Sequence, residues 1–529
     1  MNDSSQPPRG RLAVAVLLPA HRARAWQMRA AHALLSMRDA QVELHHVPTH
    51  ALHETEWLRL MAATPALSEI SAPAPATPAS GRQWDVVVDL SGAEVGAEWQ
   101  ARARQGLWRI RDAQGVDLAA AFCCHTAICA GLGVELFLVD ERGQALETMR
   151  CHAESDYAAS LEPLYAQAAW LIRRGLRSLS WGAPAVPRPP FRPGLAPNRR
   201  QRAWQRRAGL LRACLRRMSA RWLSENWMIG VVDAPIQALL SAPASAPKVR
   251  WLGRRAHRHY RADPFGAPGH PQRLYCEEYD YRKGVGRIVM LEVDARNRLT
   301  RRSTAPLPLQ GHASYPYLFE HAGRLYCIPE TAAQNRCLLY EVGADGGWRL
   351  VACLLQNVAA ADATLFHWDG LFWLAYTDVA QGKFDNLCLS WAPALAGPWQ
   401  PHAGNPVKID HRSARPGGTP FVHRGVLYRP AQDCGAGYGS AVVLNRVLQC
   451  TPEHYRETPV RRLGPDPHGV NPHGLHTVSA WGGRTLIDGK RHQLNLLDLQ
   501  RKLVDRLRGE RKLAAIAPAP TRPLGKGAP

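Results

Sequence analysis

The 529-residue chain has no long apolar run and no cysteine pattern typical of a metal site. No stretch approaches the roughly 18 apolar residues that a membrane-spanning helix needs. Residues 12–18 are apolar but lack a convincing cleavage site after them, so we expect a buried strand there and no export by a standard signal peptide. The twelve cysteines include no CxxC pair, and the adjacent Cys123 and Cys124 are poorly suited to ligating one zinc ion. We therefore expect reduced thiols, no metal and no other cofactor.

Acidic residues are scarce in two short segments, and these segments carry most of the net charge of +22. Residues 199–221 hold nine arginines and no acid, and residues 490–529 hold ten basic residues against three acids. The rest of the chain is close to balanced, which argues against a basic groove and predicts no specific nucleic-acid partner. Each basic segment is either a solvated element or one that is attracted to an anionic membrane surface. Residues 496–507 place leucines on one helical stripe, which predicts docking on a domain.

The first part of the chain alternates between strand-like and helix-like patterns. Apolar or alternating runs at 12–18, 41–47 and 84–92 predict strands, and residues 22–37 have a helical composition. This order predicts an α/β layer with a parallel sheet over residues 1–180. Residues 181–227 are expected to form a proline-rich linker and an arginine-rich helix.

The second part of the chain repeats itself at a nearly constant interval. Aromatic strand patterns begin at positions 272, 323, 370 and 425, and a weaker copy begins at position 483. Short strands that recur about every 50 residues are the signature of propeller blades. We predict a five-bladed β-propeller over residues 228–490, followed by a basic amphipathic helix and tail over 491–529.

A short phrase precedes each of the first four strand patterns: ADPF, SYPYLF, ADATLF and RPGGTPF. In a propeller the innermost strand of every blade lines the central channel, so equivalent positions converge on one face. The phrases therefore predict that Asp263, Ser314, Asp362 and Arg415 lie together.

ADPF and ADATLF resemble phrases of five-bladed glycosidases of the arabinanase, xylosidase and invertase group. This resemblance implies a base or nucleophile at Asp263 and an orienting, pKa-tuning carboxylate at Asp362. The general-acid Glu of that group falls near Arg415 in this chain. Hydrolysis needs a proton donor for the leaving oxygen, so the replacement favours another reaction.

The ordered phrases SYPYLFEHAGRLYCIPET, ADATLF, LAGPWQPHAGNPV and RSARPGGTPFVHRGVLYRPAQDC resemble the N-terminal propeller of glucosamine inositolphosphorylceramide transferases. That resemblance implies a propeller of furanosidase type and a glycosyltransferase-like role in bacterial surface polysaccharide or glycolipid synthesis. Residues 1–180 resemble a degenerate formyltransferase layer. Residues 106–115 lack the Asn-x-His of that family, so we expect no formyl transfer.

The candidate site residues come from all five blades, and each also has a structural interpretation as a turn, core or salt-bridge residue. The catalytic candidates are Asp263, Glu330 and Asp362. The substrate-binding candidates are Tyr315, Arg415, Arg429, Asp433 and His476. In the transferase hypothesis the aspartates stabilise positive charge on the sugar, Glu330 is the base, and Arg415 and Arg429 hold a donor phosphate.

Three functions remain open from the sequence. Transfer from an activated donor, such as a nucleotide sugar, to a glycan or glycolipid acceptor is preferred, because a phosphate leaving group has less need of an acid. The alternatives are a furanosidase-type hydrolase, with Glu330 or Glu278 as the acid, and a glycan-binding module without catalysis. We expect a cytoplasmic protein, with peripheral contact to the inner membrane face as an open alternative.

Overall fold

A computed structural model describes residues 11–20, 22–48, 64–71, 81–131, 133–153, 157–180, 198–241, 248–307 and 311–507. The predicted linker, most of which is residues 181–197, and the tail beyond residue 507 lie outside these ranges. The chain divides into two compact units, residues 1–215 and 216–529. Within the described ranges, no helix combines the length and apolarity needed to cross a membrane.

The first unit is built on a six-stranded mixed sheet. Its strands, in spatial order, are Ala40–Val47, Leu12–Pro19, Val86–Asp89, Leu107–Asp112, Val134–Val139 and Ala145–Cys151. The first four strands pair in parallel, and the fifth pairs antiparallel with both the fourth and the sixth. The central parallel strands are buried runs of Val, Leu and Ala, as expected where a sheet is covered on both faces. The predicted α/β layer is therefore present, and its likeness to formyltransferases stays a prediction.

The other described elements of this unit are helices and two very short strands. The α-helices are Ala25–Leu35, Ala97–Ala101, His125–Ala130, Tyr157–Ala166, Ala168–Ser180 and Arg199–Trp222, of which the last continues into the second unit. A short 3₁₀-helix spans Pro65–Leu67, and Arg22–Arg24 pairs with Glu69–Ser71. The helical patterns predicted at 22–37 and 199–221 are confirmed.

The second unit contains five antiparallel sheets, which we number as blades 1 to 5. From the innermost strand outward, blade 1 is His259–Gly266, Arg273–Asp280, Val285–Val293 and Leu299–Thr304; blade 2 is Ser314–His321, Arg324–Glu330, Arg336–Val342 and Trp348–Gln356; blade 3 is Ala360–Trp368, Leu371–Asp378, Asn386–Ala392 and Gln400–Pro401; blade 4 is Phe421–His423, Val426–Asp433, Ala441–Cys450 and Tyr455–Leu463; blade 5 is Val478–Trp481, Arg484–Leu494, Leu223–Val232 and Val249–Trp251. Lys408–Ile409 adds a short strand beside blade 3. The predicted five-bladed propeller is confirmed.

Blade 5 joins the two ends of the propeller. Arg484–Leu494 pairs along its whole length with Leu223–Val232, which precedes blade 1 in the chain. A ring closed in this way has no unpaired first or last blade, so distant parts of the sequence share one sheet. The remaining elements are the 3₁₀-helices Ile236–Leu240, Ala332–Gln334 and Val379–Gln381 and the α-helix Leu496–Leu507.

Candidate active site in the propeller channel

Blades 1, 2 and 3 share an irregularity at the same point of the innermost strand. Pairing with the second strand shifts register after Ala262, Ser314 and Ala361. The next residue in each case, Asp263, Tyr315 or Asp362, has a positive φ of 50°, 42° or 51°. Such a bulge turns a side chain away from the regular alternation of the strand, and the strained conformation points to a functional constraint. Tyr315, rather than Ser314, is the blade 2 counterpart of the two aspartates.

An acid of the preceding blade supports each of the two aspartate bulges. The amide of Asp263 donates a hydrogen bond to Asp488 Oδ2 of blade 5 (3.1 Å), and the amide of Asp362 donates one to Glu330 Oε2 of blade 2 (3.0 Å). Asp488 and Glu330 both lie on the second strand of their blade. The same repeated contact therefore fixes the backbone of the aspartates and brings two further carboxyl groups to them.

His476 lies between two carboxylates. Its Nδ1 is 2.5 Å from Asp488 Oδ2, and its Nε2 is 3.4 Å from Asp263 Oδ1. The amides of His476 and Thr477 both donate to Asp488 Oδ1, and the hydroxyl of Thr477 donates to Asp263 Oδ1 at 2.8 Å. This network holds both Asp263 and the imidazole in fixed orientations.

The charges of this network shift its pKa values in a consistent direction. Burial alone would lower the pKa of His476, but the carboxylates of Asp488 and Asp263 raise it above its ordinary value. Burial raises the pKa of Asp263 to about 6, with added repulsion from Asp488 and Asp362 and an opposing attraction from His476. His476 can therefore carry a proton between two acids, and Asp263 can exchange one near neutral pH.

The same three side chains also satisfy the spacing of a metal site. One ligand atom each from Asp263, His476 and Asp488 lies within 4.8 Å of the others. The set would suit a divalent cation with the imidazole neutral. With the imidazole protonated, the contacts are complete without a metal, so the prediction of no metal remains a prediction.

Aromatic rings cover His476. Trp227 stacks on the imidazole with ring centroids 4.0 Å apart, and Tyr438 approaches it edge-on at 5.3 Å. The Lys490 ammonium lies 5.0 Å from the Trp227 ring centroid and donates to the carbonyl oxygen of Tyr438. Tyr438 follows Gly437, whose φ of 120° requires glycine.

Asp362 is held by a second set of contacts. Arg415 Nε donates to Asp362 Oδ2 at 2.5 Å, and Gln432 Nε2 donates to the same oxygen at 2.6 Å. Arg415 Nη1 donates to the Lys383 carbonyl oxygen at 2.8 Å, and its guanidinium lies 5.2 Å from the Tyr438 ring centroid. Among the described residues, Nη2 of Arg415 makes no hydrogen bond. Arg415 is therefore first a partner of Asp362, with one nitrogen left for an anion.

Two glutamates at the channel have pKa values raised well above the ordinary value. For Glu330 the causes are burial and then the Asp362 carboxylate, with Arg415 opposing them. For Glu277 of blade 1 they are burial and then Asp263. Oε1 of Glu277 has no hydrogen-bond partner in the described part of the chain. Both shifts favour the protonated carboxyl, so Glu330 is better suited to donating a proton than to accepting one.

Three predicted binding residues are held by contacts with other side chains, and their predicted roles in binding stay predictions. Tyr315 is fully buried and packs edge-on against Phe265 with centroids 4.8 Å apart, so its ring cannot stack on a sugar. Arg429 is buried against Glu457 in a paired ion bridge at 2.9 and 2.6 Å. Asp433 binds the Arg462 guanidinium at 2.7 Å.

Five of the eight predicted residues come together: Asp263, Glu330, Asp362, Arg415 and His476. Sequence reasoning missed other members of the cluster, which are Trp227, Glu277, Gln432, Tyr438, Asp488 and Lys490. Asp488 had a usable signal, because it ends the second-strand phrase GRTLID as Glu330 ends GRLYCIPE. Trp227 had none, because it reaches the cluster from the strand that precedes blade 1.

Comparison with known protein families gives a match within the propeller. Residues 304–495 match the family described as Glucosamine inositolphosphorylceramide transferase 1, N-terminal. The propeller resembles that N-terminal domain. The protein named Glucosamine inositolphosphorylceramide transferase 1 from Arabidopsis thaliana is 33% identical over 155 residues, which is 28% of this chain and 20% of the relative. Its namesake from Oryza sativa subsp. indica is 34% identical over 155 residues, which is 28% of this chain and 21% of the relative. The chain thus spans about a fifth of the length of these relatives.

Solved structures of glycoside hydrolases also align with the chain. Zg3597, a family 117 glycoside hydrolase from Zobellia galactanivorans, aligns at 12% identity and a TM-score of 0.31, covering 44% of this chain and 85% of its own. A thermostable family-43 glycoside hydrolase aligns at 14% identity and a TM-score of 0.31, covering 42% and 83%.

Proposed function

We propose that this protein transfers a glycosyl group from an activated donor to a glycan or glycolipid acceptor, with the reaction in the propeller channel. The observation that carries the proposal is the set of carboxyl groups with unequal proton affinity around Asp263 and Asp362. Groups whose pKa values are driven apart by their surroundings are the usual acid and base pairs of glycosyl chemistry.

Each role follows from the contacts of the residue. Asp362 pairs with Arg415 and Gln432, so its negative charge is fixed in place to stabilise positive charge on the sugar ring. Asp263, with a pKa of about 6, accepts the proton of the acceptor hydroxyl, and His476 and Asp488 hold it in position. Glu330, whose raised pKa favours the protonated carboxyl, donates a hydrogen bond or proton to the leaving group. This assignment replaces the predicted role of Glu330 as the base.

The resemblance to glucosamine inositolphosphorylceramide transferases supports a sugar donor and a glycolipid acceptor. The free Nη2 of Arg415 would meet a donor phosphate, such as that of a nucleotide sugar. The proposed setting is the synthesis of a bacterial surface polysaccharide or glycolipid at the cytoplasmic face of the membrane.

A specific observation also favours hydrolysis as a second candidate. The preference for transfer rested on the lack of an acid at Arg415, but the raised pKa of Glu330 supplies one. Glu278, the other predicted substitute, does not: burial would raise its pKa, but Arg302 and Arg261 hold it below the ordinary value. Glu278 is ionised, and cannot serve as the acid.

The test compares transfer, hydrolysis and binding in the full-length protein. Nucleotide sugars with a lipid-phosphate acceptor are assayed beside aryl furanosides, by mass spectrometry of the products. Asp263→Asn and Asp362→Asn should each reduce turnover by about 10²-fold or more, since both keep size and remove charge. Glu320→Gln changes an exposed acid on the innermost strand of blade 2 and should leave activity unchanged.

The outcome separates the candidates. Product from nucleotide sugars that is lost in both Asn variants supports transfer, and release of free sugar from aryl furanosides supports hydrolysis. Full activity in both Asn variants, or glycan binding without any turnover, would contradict an active site in the channel.

A further inference from the structure

The helix Arg199–Trp222 has one face that is anchored to the first unit. Its Gly209 lies so close to helix His125–Ala130 that an added Cβ would be 2.6 Å from the Cys129 carbonyl oxygen. The Arg212 Nη1 donates to that same oxygen at 3.2 Å. Arg202 is buried with its guanidinium 3.9 Å from the Phe122 ring centroid. These contacts fix which face of the helix points away from the unit.

The opposite face is apolar and exposed. Large side chains recur at intervals of 7, 4, 3 and 4 positions, which is one straight stripe on an α-helix. Its members are Trp204, Leu211, Leu215, Met218 and Trp222, with exposed fractions of 68%, 62%, 56%, 53% and 49%. We call this set the apolar stripe. Exposed Leu or Trp residues are ordinary singly, but a continuous row of them marks an interaction surface.

Arginines accompany the apolar stripe. Arg200, Arg207 and Arg221 are exposed on the same helix, and residues 199–222 contain no Asp or Glu. A second copy of this helix would bring like charges together, so self-association through the stripe is disfavoured. Nucleic acid would satisfy the arginines but not the exposed leucines and tryptophans. An anionic bilayer satisfies both, because its headgroups attract arginine and its acyl region accepts the apolar side chains.

We propose that the helix Arg199–Trp222 lies flat on an anionic membrane surface, with the apolar stripe inserted at the boundary between headgroups and acyl chains. This inference goes beyond the proposed function and holds whether the channel transfers or hydrolyses. Apolar insertion distinguishes it from simple charge attraction: salt should weaken binding but not abolish it.

The experiment is co-sedimentation of the full-length protein with vesicles. Vesicles made of two parts phosphatidylcholine to one part phosphatidylglycerol are compared with vesicles of phosphatidylcholine alone. Leu211→Gln/Leu215→Gln should weaken partitioning to the anionic vesicles by about tenfold or more, by the loss of two buried leucines. Leu350→Gln/Leu448→Gln removes two leucines of similar exposure from blades 2 and 4 and should bind as the parent does.

Charge and apolar contributions are separated by a second variant. Arg200→Gln/Arg207→Gln should lose part of the preference for anionic vesicles and show a smaller effect of salt. Unchanged vesicle binding in the Leu211/Leu215 variant would overturn the proposal. The proposal would also be overturned if light scattering found that the parent is a dimer and that this variant is a monomer. Equal binding of all variants to RNA would contradict it as well. Vesicle binding requires no turnover, so failure here leaves the proposed function to its own test.

Discussion

Substituting Glu457 tests whether Arg429 has a structural role. Both side chains are 1% exposed, and Glu457 also accepts from Lys408 Nζ at 2.8 Å and from the Tyr455 hydroxyl at 2.6 Å. Glu457→Gln preserves size and removes the negative charge that the Arg429 guanidinium and the Lys408 ammonium share. The change therefore leaves a buried guanidinium and an ammonium without their anion.

The magnitude follows from the pKa of the acid. Burial alone would raise the pKa of Glu457, but Arg429 and Lys408 lower it from 4.5 to about 2. A shift of this size corresponds to on the order of 3 kcal/mol of stability. Because the pKa is lower in the folded state, this contribution is fully present above pH 4.5 and is lost as pH falls towards 2. Removing one partner of a buried pair typically costs about 3–5 kcal/mol.

The assay is urea unfolding followed by tryptophan fluorescence at several pH values. Glu457→Gln should lower the free energy of unfolding by about 3 kcal/mol near pH 7, and the gap from the parent should shrink below pH 4.5. Glu320→Gln is the matched control and should change it by less than about 0.5 kcal/mol. A loss under about 1 kcal/mol would refute the reasoning. Weaker donor binding in a fully stable variant would restore the predicted substrate role of Arg429.

Three further predictions concern the channel. Gly418→Ala should destabilise the fold by about 2 kcal/mol or more, because φ is 136° and a Cβ would lie 1.8 Å from the Val478 carbonyl oxygen. In the control Gly425→Ala the added Cβ meets no neighbour, so thermal unfolding should show a smaller loss of stability. Because the pKa of His476 is raised in the folded state, its protonation adds stability that is fully present below the unfolded-state pKa of 6.5 and is lost as pH rises through the folded-state pKa. Between these two pKa values, the free energy of unfolding should therefore fall more steeply with pH in the parent than in His476→Gln. With Asp263 as the base, kcat/KM should rise with pH through about 6, and a flat profile there would contradict that role.

The blade architecture was predictable because it repeats. Tight turns and aromatic strands recur at a fixed period, and the phrases before them mark the innermost strands. The positions of Asp263 and Asp362 followed from this repeat, since equivalent residues of a propeller meet at one channel. The bulge at Asp362 was not predictable, because ADATLF fits a regular strand; Pro264 in ADPF indicates an irregularity but not where the Asp263 side chain points.

The unpredicted contacts depend on pairing between distant strands. Trp227 reaches His476 only because strand Leu223–Val232 completes blade 5 from the opposite end of the propeller sequence. Arg415 and Arg429 lie only 14 positions apart in the sequence. Arg429 nevertheless binds Glu457 on the outer strand of blade 4, whereas Arg415 binds Asp362 of blade 3. Local sequence contains no information on which acid each arginine meets.

The balance of charge in the channel favours a positively charged transition state. The Asp362 carboxylate is paired with the Arg415 guanidinium. The Asp488 carboxylate contacts the imidazole of His476, whose pKa is raised. Burial and neighbouring carboxylates raise the pKa values of Glu277 and Glu330, which favours their protonated forms. The Asp263 carboxylate shares the His476 imidazole with Asp488 at the longer distance, 3.4 Å against 2.5 Å, so it is the less compensated of the two. A sugar ring that becomes cationic as its bond to the donor phosphate breaks would be stabilised beside Asp263. A phosphate group in the same position would be repelled by that carboxylate. Asp263→Asn should accordingly reduce kcat more than it raises KM for the donor, and an effect confined to KM would argue that Asp263 only binds substrate.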